Sequence, residues 1–284
     1  MFFESRIQLL KNVFKPFVAT LMVTIPGIAA CSKPKEPTFG TRSLTSVSSN
    51  AKKYYLGWGE VLDGSMGNET LYDVRHTQEV FTKEMGGNYA GTALDSETSN
   101  AVNAGEINSA FDKIKNQITP SDMFLQYSSG HGYPGGLGVG VEYDSMVEKV
   151  LSYNARETVV FTMACFSGTM IDAFRQKKSQ WSNFRDQGKT LFVMASSPSD
   201  QESSTGPGTD ENEAGPDGSA GSAFGHSIWK SLYESDGYVD GIKDGFISIG
   251  EITEFTKDMT NKIGGHVPQF DGSYYPQIIM VQAQ

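Results

Sequence analysis

The sequence predicts an α/β domain in which helices cover a mainly parallel sheet. Short β-favouring apolar runs alternate with stretches of helical periodicity along residues 52–284, a pattern typical of parallel strands joined by crossover helices. The composition agrees, because 38% hydrophobic and 11% aromatic residues are enough to fill a domain core. The 284-residue chain is therefore expected to hold one folded domain that begins near residue 52.

The expected elements follow from local patterns. Strands are predicted at 54–58, 123–127, 158–163, 191–195 and 277–281, and helices at 76–85, 106–118, 144–153, 168–178, 222–234 and 249–262. In the second helix, apolar residues recur at spacings of three and four, which predicts a core-facing stripe of Ile107, Phe111, Ile114 and Ile118. Residues 198–222 are rich in Ser, Gly, Asp, Glu and Pro and predict a long loop.

The N-terminus has the pattern of an export signal. Three basic residues within 1–15 precede the apolar run 17–23, and small residues lead to Cys31. The apolar run is shorter than the roughly 20 residues that span a bilayer, so a permanent membrane helix is the weaker interpretation. The Ile-Ala-Ala-Cys ending resembles the bacterial lipoprotein cleavage box, and an ordinary signal peptide with an incidental cysteine is the alternative.

This resemblance implies the domain organisation and the location. Residues 1–30 would be a lipoprotein signal peptide, 31–51 a lipid anchor and flexible tether, and 52–284 the folded domain. Cys31 would be lipidated, and the exported protein would be anchored to a bacterial membrane in the periplasm or on the cell surface.

Composition and motifs exclude several classes of function. The net charge of −10 argues against a nucleic-acid partner, because affinity for the phosphate backbone needs clustered Lys and Arg. The sequence has neither a His-Glu-x-x-His motif nor paired cysteines, which argues against a zinc hydrolase. The serines at 128–129 and 203–204 lack the Gly-x-Ser-x-Gly pattern of α/β-hydrolases.

Two strand ends carry complementary chemistry. His131 follows the strand at 123–127 and Cys165 follows the strand at 158–163, and glycines lie near them at 130, 132 and 168. Because parallel strands place their carboxyl ends at one edge of the sheet, we expect the two side chains to be neighbours. An imidazole can take the proton of a thiol and later protonate a leaving amine. The backbone N–H groups of Gly132 and Cys165 are candidate donors to an oxyanion.

These segments resemble those of the caspase-fold cysteine peptidases, and within them of legumain and its relatives. Ser-Gly-His-Gly at 129–132 is similar to the family's His-Gly segment, and Met-Ala-Cys-Phe-Ser-Gly-Thr-Met at 163–170 is similar to legumain's Glu-Ala-Cys-Glu-Ser-Gly-Ser-Met. Asp-Val-Arg-His at 73–76 resembles legumain's Asn-Tyr-Arg-His, and the segment 195–204 resembles the one that contains Pro-Arg-Glu-Ser-Ser. The resemblance implies a three-layer caspase-like fold.

The resemblance also implies roles for single residues. Arg75 and His76 would help to form the pocket for the residue before the scissile bond, and Ser203 and Ser204 would border it. Asp73 would orient His131, as a transfer from the family's Asn.

One position departs from the family. Met163 stands where legumain has Glu, and this lowers the expectation of specificity for basic residues. With Arg75 present, Asn or Asp is the expected P1 residue, because guanidinium donates paired hydrogen bonds to either. A surface salt bridge is the alternative role for Arg75.

Residues 240–251 partly match an EF-hand calcium loop. Asp240, Asp244 and Glu251 occupy positions 1, 5 and 12, but position 3 is Ile242, which has no ligating side chain. The pattern therefore favours a structural turn that caps the following helix over a high-affinity calcium site. No other cofactor is expected.

The leading hypothesis is a cysteine endopeptidase that hydrolyses protein or peptide substrates through His131 and Cys165. The segments 198–222 and 32–51 are candidate sites of self-cleavage. A transpeptidase or ligase that uses the same pair is one alternative, because an amine can replace water in the second step. A non-catalytic surface lipoprotein that binds peptides is the other.

Overall fold

The computed structural model describes residues 51–60, 69–79, 81, 89–94, 102–177, 179–180, 187–203, 221–233, 246–264, 266–273 and 279–282. All of them belong to one unit, Ser46–Gln284. The expected signal peptide, Cys31 and residues 32–50 of the expected tether lie outside these residues, as does 204–220 of the expected loop. None of the helices in the described ranges is both long enough and apolar enough to span a bilayer.

The described strands and helices alternate along much of the chain. The strands are β1 (Lys53–Gly59), β2 (Tyr89–Leu94), β3 (Met123–Ser129), β4 (Gly132–Tyr133), β5 (Gly136–Leu137), β6 (Val141–Glu142), β7 (Glu157–Met163), β8 (Thr190–Ala195), β9 (Phe246–Ser248), β10 (Gln269–Ser273) and β11 (Ile279–Gln282). The helices are α1 (Glu69–Glu79), α2 (Ala104–Lys115), α3 (Tyr143–Leu151), α4 (Gly168–Gln176), α5 (Ala223–Tyr233) and α6 (Ile249–Gly264).

Within the described ranges, six strands form the main sheet in the order β10-β8-β7-β3-β1-β2. The five strands from β8 to β2 are parallel, and β10 pairs antiparallel with β8 at the edge. The short strands β4, β5 and β6 form a separate antiparallel sheet directly after β3. The carboxyl ends of β1, β3 and β7 therefore lie side by side.

Helices cover both faces of the sheet, so the fold has three layers. Alternate residues of β1 belong to different core clusters, with Tyr54, Leu56 and Trp58 in one and Tyr55 in the other. The first cluster includes apolar side chains of α2, α3 and α4, and the second includes those of α1, α5 and α6. Central strands buried on both faces explain the continuous apolar runs in the sequence.

The structure confirms the strands expected at 54–58, 123–127, 158–163 and 191–195 and the core stripe of the second helix, with small shifts of bounds. The first helix begins at Glu69 rather than at residue 76, so that expectation was wrong. Its buried face mixes Leu71 and Val74 with polar residues such as Asp73 and Thr77, which hides the apolar periodicity. The edge strands β2 and β10 were not predicted.

Candidate active site

Neighbouring strands bring His131 and Cys165 to one edge of the sheet. Strands β3 and β7 are parallel, and their register pairs Ser129 with Met163. The backbone N–H of Gly130 continues the pairing by donating to the carbonyl oxygen of Met163 at 3.0 Å. Since His131 and Cys165 follow by the same number of residues, their backbones leave the sheet at the same level.

The chain after His131 packs directly on the peptide of Cys165. A Cβ atom placed on Gly132 would lie 3.0 Å from the Cys165 backbone N and closer still to its carbonyl oxygen. Any larger residue at 132 would therefore push the two segments apart. Both His131 and Cys165 are half-buried, and Cys165 is a free thiol. The pair is thus held in a tight backbone contact with partial access from solvent.

The turn that carries Cys165 is unusually sharp. Phe166 has a positive φ of 57°, a conformation that costs a bulky residue free energy. Its backbone N–H donates to the carbonyl oxygen of Gln201 at 2.8 Å. A Cβ atom on Gly168 would collide with the backbone of Pro198 and Ser199. The turn is therefore built to lie close against the chain that follows β8.

Buried serines hold this turn from beneath. Ser196 Oγ accepts a hydrogen bond from the backbone N–H of Ala164, and Ser197 Oγ donates to the carbonyl oxygen of Ala164, both at 3.2 Å. Ser167 Oγ lies 3.2 Å from Ser196 Oγ and 3.3 Å from Ser197 Oγ. All three serine side chains are buried. Buried hydroxyls that satisfy one another in this way fix the position of the residue before Cys165.

The backbone of Ser203 contacts the thiol, and the expected role of Ser203 at the pocket border stays a prediction. Cys165 Sγ donates to the Ser203 carbonyl oxygen at 3.9 Å, while Ser203 Oγ donates to Ser196 Oγ at 2.8 Å. The same hydroxyl lies 3.5 Å from Nε2 of the buried His266. Sequence reasoning missed this contact of His266, because no local pattern marks two residues so far apart in the chain. Ser204 lies outside the described residues.

A buried phenol also lies near the thiol. Tyr143 begins α3 and is 1% exposed. Burial, followed by the nearby Cys165, raises the pKa of the Tyr143 hydroxyl. The raised pKa favours the neutral form of the phenol beside Cys165.

Asp73 lies in a buried polar network beside the end of β3. Its Oδ2 accepts from Ser129 Oγ at 2.8 Å and from Ser222 Oγ at 2.6 Å, and its Oδ1 accepts from the Ser222 N–H at 2.8 Å. Burial raises the pKa of Asp73 to about 6, although the hydrogen bonds from Ser222 and Ser129 oppose this rise. These contacts connect Asp73 to the chain two residues before His131, and its orienting role stays a prediction.

The remaining expected pocket residues have different environments. Arg75 is half-buried on α1. His76 is buried and lies against the rings of Tyr72 and Trp229, with centroid distances of 6.2 Å to each. Met163 is 0% exposed and belongs to the core cluster of α1, α5 and α6. The structure therefore places His76 and Met163 in packed interiors, where they offer a substrate almost no surface.

Sequence reasoning also missed a carboxylate at this edge. Glu60 directly follows β1, which is the neighbour of β3, and it is 2% exposed. Its Oε2 accepts from the N–H of Val139 at 3.1 Å and lies against the backbone of Gly130. The signal was available, since the strand-end argument that selects His131 and Cys165 also applies to the residue after β1.

Glu251 acts as a helix cap. Its Oε2 accepts from the N–H and the hydroxyl of Ser248, both at 2.8 Å, and Ser248 Oγ accepts from the Glu251 N–H at 3.3 Å. This is the reciprocal pattern of a capping box, and it agrees with the structural interpretation of residues 240–251. Asp240 and Asp244 lie outside the described residues, among which no group of three or more His, Cys, Asp or Glu side chains could hold a metal ion.

Comparison with known proteins supports the fold. The structure is similar to caspase-1 from Spodoptera frugiperda, with a TM-score of 0.54 and 11% identity over 84% of this chain and 94% of that one. It is also similar to protein GSU0716 from Geobacter sulfurreducens, with a TM-score of 0.52 and 14% identity over 82% of this chain and all of that one. No protein-family model and no curated protein sequence matches the chain. The chain therefore has a caspase-like α/β fold.

Proposed function

We propose that this protein is a cysteine endopeptidase that hydrolyses protein or peptide substrates, with Cys165 as nucleophile and His131 as general base and acid. The observation that carries the proposal is the placement of the two residues after neighbouring parallel strands, with Gly132 packed on the Cys165 peptide. The caspase-like fold supports it, because the same edge of the sheet is where α/β proteins bind ligands.

The proposed reaction has two stages. His131 takes the proton of the Cys165 thiol, and the thiolate attacks the scissile carbonyl carbon to form a tetrahedral oxyanion. The N–H groups of Gly132 and Cys165 donate to that oxyanion. His131 then gives the proton to the leaving amine as the C–N bond breaks, which leaves a thioester on Cys165. Water, deprotonated by His131, hydrolyses the thioester and restores the free thiol.

The close backbone contact supports the oxyanion site. Two N–H groups can stabilise one oxygen only if their nitrogen atoms stay within hydrogen-bond distance of it throughout the reaction. The buried serines behind Ala164 and the packing of Gly168 on Ser199 restrict movement of the Cys165 turn. A rigid turn keeps the thiol and its own N–H in a constant relation.

The preference for the P1 residue is proposed on the resemblance to legumain. Arg75 would donate paired hydrogen bonds to an Asn or Asp side chain, and Ser203, whose carbonyl contacts Cys165 Sγ, would border the pocket. The contact of Ser203 with the thiol supports a pocket on this side of Cys165. The proposed mechanism uses no cofactor, and calcium is proposed only as a ligand of the segment 240–251.

The location is a proposal that follows from the N-terminal sequence. Lipidated Cys31 would hold the protein to a bacterial membrane, with the peptidase domain in the periplasm or at the cell surface. Membrane fractionation of cells that express the wild type or Cys31→Ser tests this. We expect the wild type in the membrane fraction, and an equal distribution of both proteins would contradict the anchor.

The catalytic proposal is tested with acyloxymethyl ketone peptide probes that carry Asn, Asp or Arg at P1. We expect covalent labelling of the full-length protein to be lost in Cys165→Ala and slowed about 100-fold or more in His131→Ala, since general base catalysis is of that size. The probe that reacts fastest identifies the P1 preference. In a Cys31→Ser background Cys165 is the one cysteine of the sequence, so all cysteine labelling there comes from Cys165.

Two outcomes would favour the alternatives. If an added amine is coupled to a cleaved peptide in place of water, the protein is a transpeptidase or ligase. If no probe labels the wild type, even after limited proteolysis within 198–222, the protein binds peptides without cutting them.

A further inference from the structure

Three consecutive strands of the sheet end in residues that carry chemistry. The register pairs Gly59 of β1 with Ser129 of β3, and Ser129 in turn with Met163 of β7. Glu60 therefore follows at the same edge, on the side of His131 opposite to Cys165. The order across the sheet is carboxylate, imidazole and thiol.

Glu60 contacts both ends of the segment that carries His131. Its backbone N–H donates to the Ser129 carbonyl oxygen at 3.0 Å, and a Cβ atom on Gly130 would lie 2.7 Å from Oε2. The same Oε2 accepts from the Val139 N–H at 3.1 Å. One buried carboxylate thus touches the chain just before His131 and the chain eight residues after it.

The segment between these two contacts, residues 130–139, is held together by its own backbone hydrogen bonds and strand pairing. The Gly138 N–H donates to the His131 carbonyl oxygen at 2.9 Å, and Gly132 pairs with Leu137 in the small sheet. A segment closed in this way moves as a unit, so its position relative to Cys165 depends on what holds its two ends. Glu60 is buried, and a carboxylate in such a place is costly unless it has a structural or functional partner.

We infer that Glu60 is a positioning residue for the catalytic pair, because its carboxylate fixes the His131 segment against the end of β1. This inference rests on the proposed function. The carboxylate acts through the backbone at Gly130 and Val139. The position of the His131 segment therefore depends on the length of the side chain at position 60 and on its ability to accept a hydrogen bond. Glutamine at position 60 meets both requirements, whereas aspartate is one methylene shorter and alanine has no acceptor.

The test measures kinact and KI for the fastest peptide probe in the full-length protein with Glu60→Gln, Glu60→Asp or Glu60→Ala. We expect Glu60→Gln to stay within about 3-fold of the wild-type kinact, and Glu60→Asp and Glu60→Ala to lose about 10- to 100-fold with KI unchanged, because small misplacement of a catalytic group has effects of that size. Glu157→Gln and Glu157→Ala are matched controls, since Glu157 is a half-buried carboxylate at the opposite end of β7.

Thermal unfolding midpoints separate positioning from stability. A purely structural role would lower the midpoint and leave kinact per folded molecule unchanged, and that result would overturn the inference. So would an unchanged kinact in Glu60→Asp, which keeps the carboxyl group but shortens the side chain, and this variant tests the inference even if Glu60→Ala does not fold.

Iodoacetamide, which needs no binding pocket, separates failure of this inference from failure of the proposed function. If Cys165 of the wild type reacts no faster than Cys165 of His131→Ala, the proposed function fails and the inference fails with it. If the wild type is faster and Glu60→Asp equals the wild type, only the inference on Glu60 fails.

Discussion

Replacing Asp73 by Asn removes a buried negative charge while keeping the size of the side chain. The carboxylate is 1% exposed and accepts hydrogen bonds from Ser129 and Ser222. Asn keeps one acceptor oxygen for the Ser222 N–H, and its amide can donate to a serine hydroxyl. The variant therefore tests the cost of the charge without opening a cavity.

The magnitude follows from the pKa of Asp73, which burial raises from its ordinary value of 3.8 to about 6. The folded state holds this proton more tightly than the unfolded state, so the contribution to stability is complete below pH 3.8 and is lost as the pH rises through about 6. Each unit of difference between the folded-state and unfolded-state pKa corresponds to about 1.4 kcal/mol. The free energy of unfolding of the wild type should therefore fall by about 3 kcal/mol across this pH range. Above pH 6 to 7 the loss should be constant.

Urea unfolding of the wild type and Asp73→Asn at several pH values between 3.5 and 7.5 measures this directly. Other titrating groups are shared by both proteins and cancel in the difference of unfolding free energies. We expect that difference to move in favour of Asp73→Asn as the pH rises from about 4 to about 6.5. A difference that is flat with pH, or that moves in favour of the wild type, would refute the reasoning, since the pKa of Asp73 would then be unshifted or lowered by folding.

Two further predictions concern single contacts. Gly132→Ala should slow labelling of Cys165 by about 100-fold, because the added Cβ displaces the Cys165 peptide. The circular dichroism spectrum should stay unchanged. Labelling at the wild-type rate would contradict the tight contact. In a urea titration, Glu251→Ala should lower the free energy of unfolding by about 1 kcal/mol, because it loses the hydrogen bonds with Ser248. The control variant Glu254→Ala, which changes an exposed side chain, should have little effect. Equal effects of the two variants would contradict the capping role.

The central sheet could be predicted because its strands are buried on both faces. The run 191–195 is continuously apolar, and in 158–163 the remaining residues are the β-favouring Thr158 and Thr162; no loop or surface helix needs that pattern. The edge strands lack the signal. Strand β2 contains Gly91 and lies in a polar stretch, and β10 contains Asp271 and Gly272, so neither differs locally from a turn.

The placement of His131 and Cys165 after neighbouring strands could be predicted for a different reason. The positions of His131 and Cys165 depend only on which strands end before them and on the parallel order of those strands. The contact of Ser203 with His266 depends instead on how distant loops pack, and no periodicity in the sequence records it. The burial of His76 and Met163 likewise comes from packing of α1, α5 and the sheet, which residue type alone does not determine.

Two buried carboxylates flank the end of β3, and their contacts suggest different roles. Asp73 meets three donors from Ser129 and Ser222, and it connects the end of β3 to the residues that precede α5. Glu60 meets the backbone on both sides of the His131 segment. A change at Asp73 would affect the His131 segment through the Ser129 side chain, whereas a change at Glu60 would affect it through the peptide that precedes His131. For this reason we infer that Glu60 positions the His131 segment, and we expect Asp73 to make a pH-dependent contribution to stability.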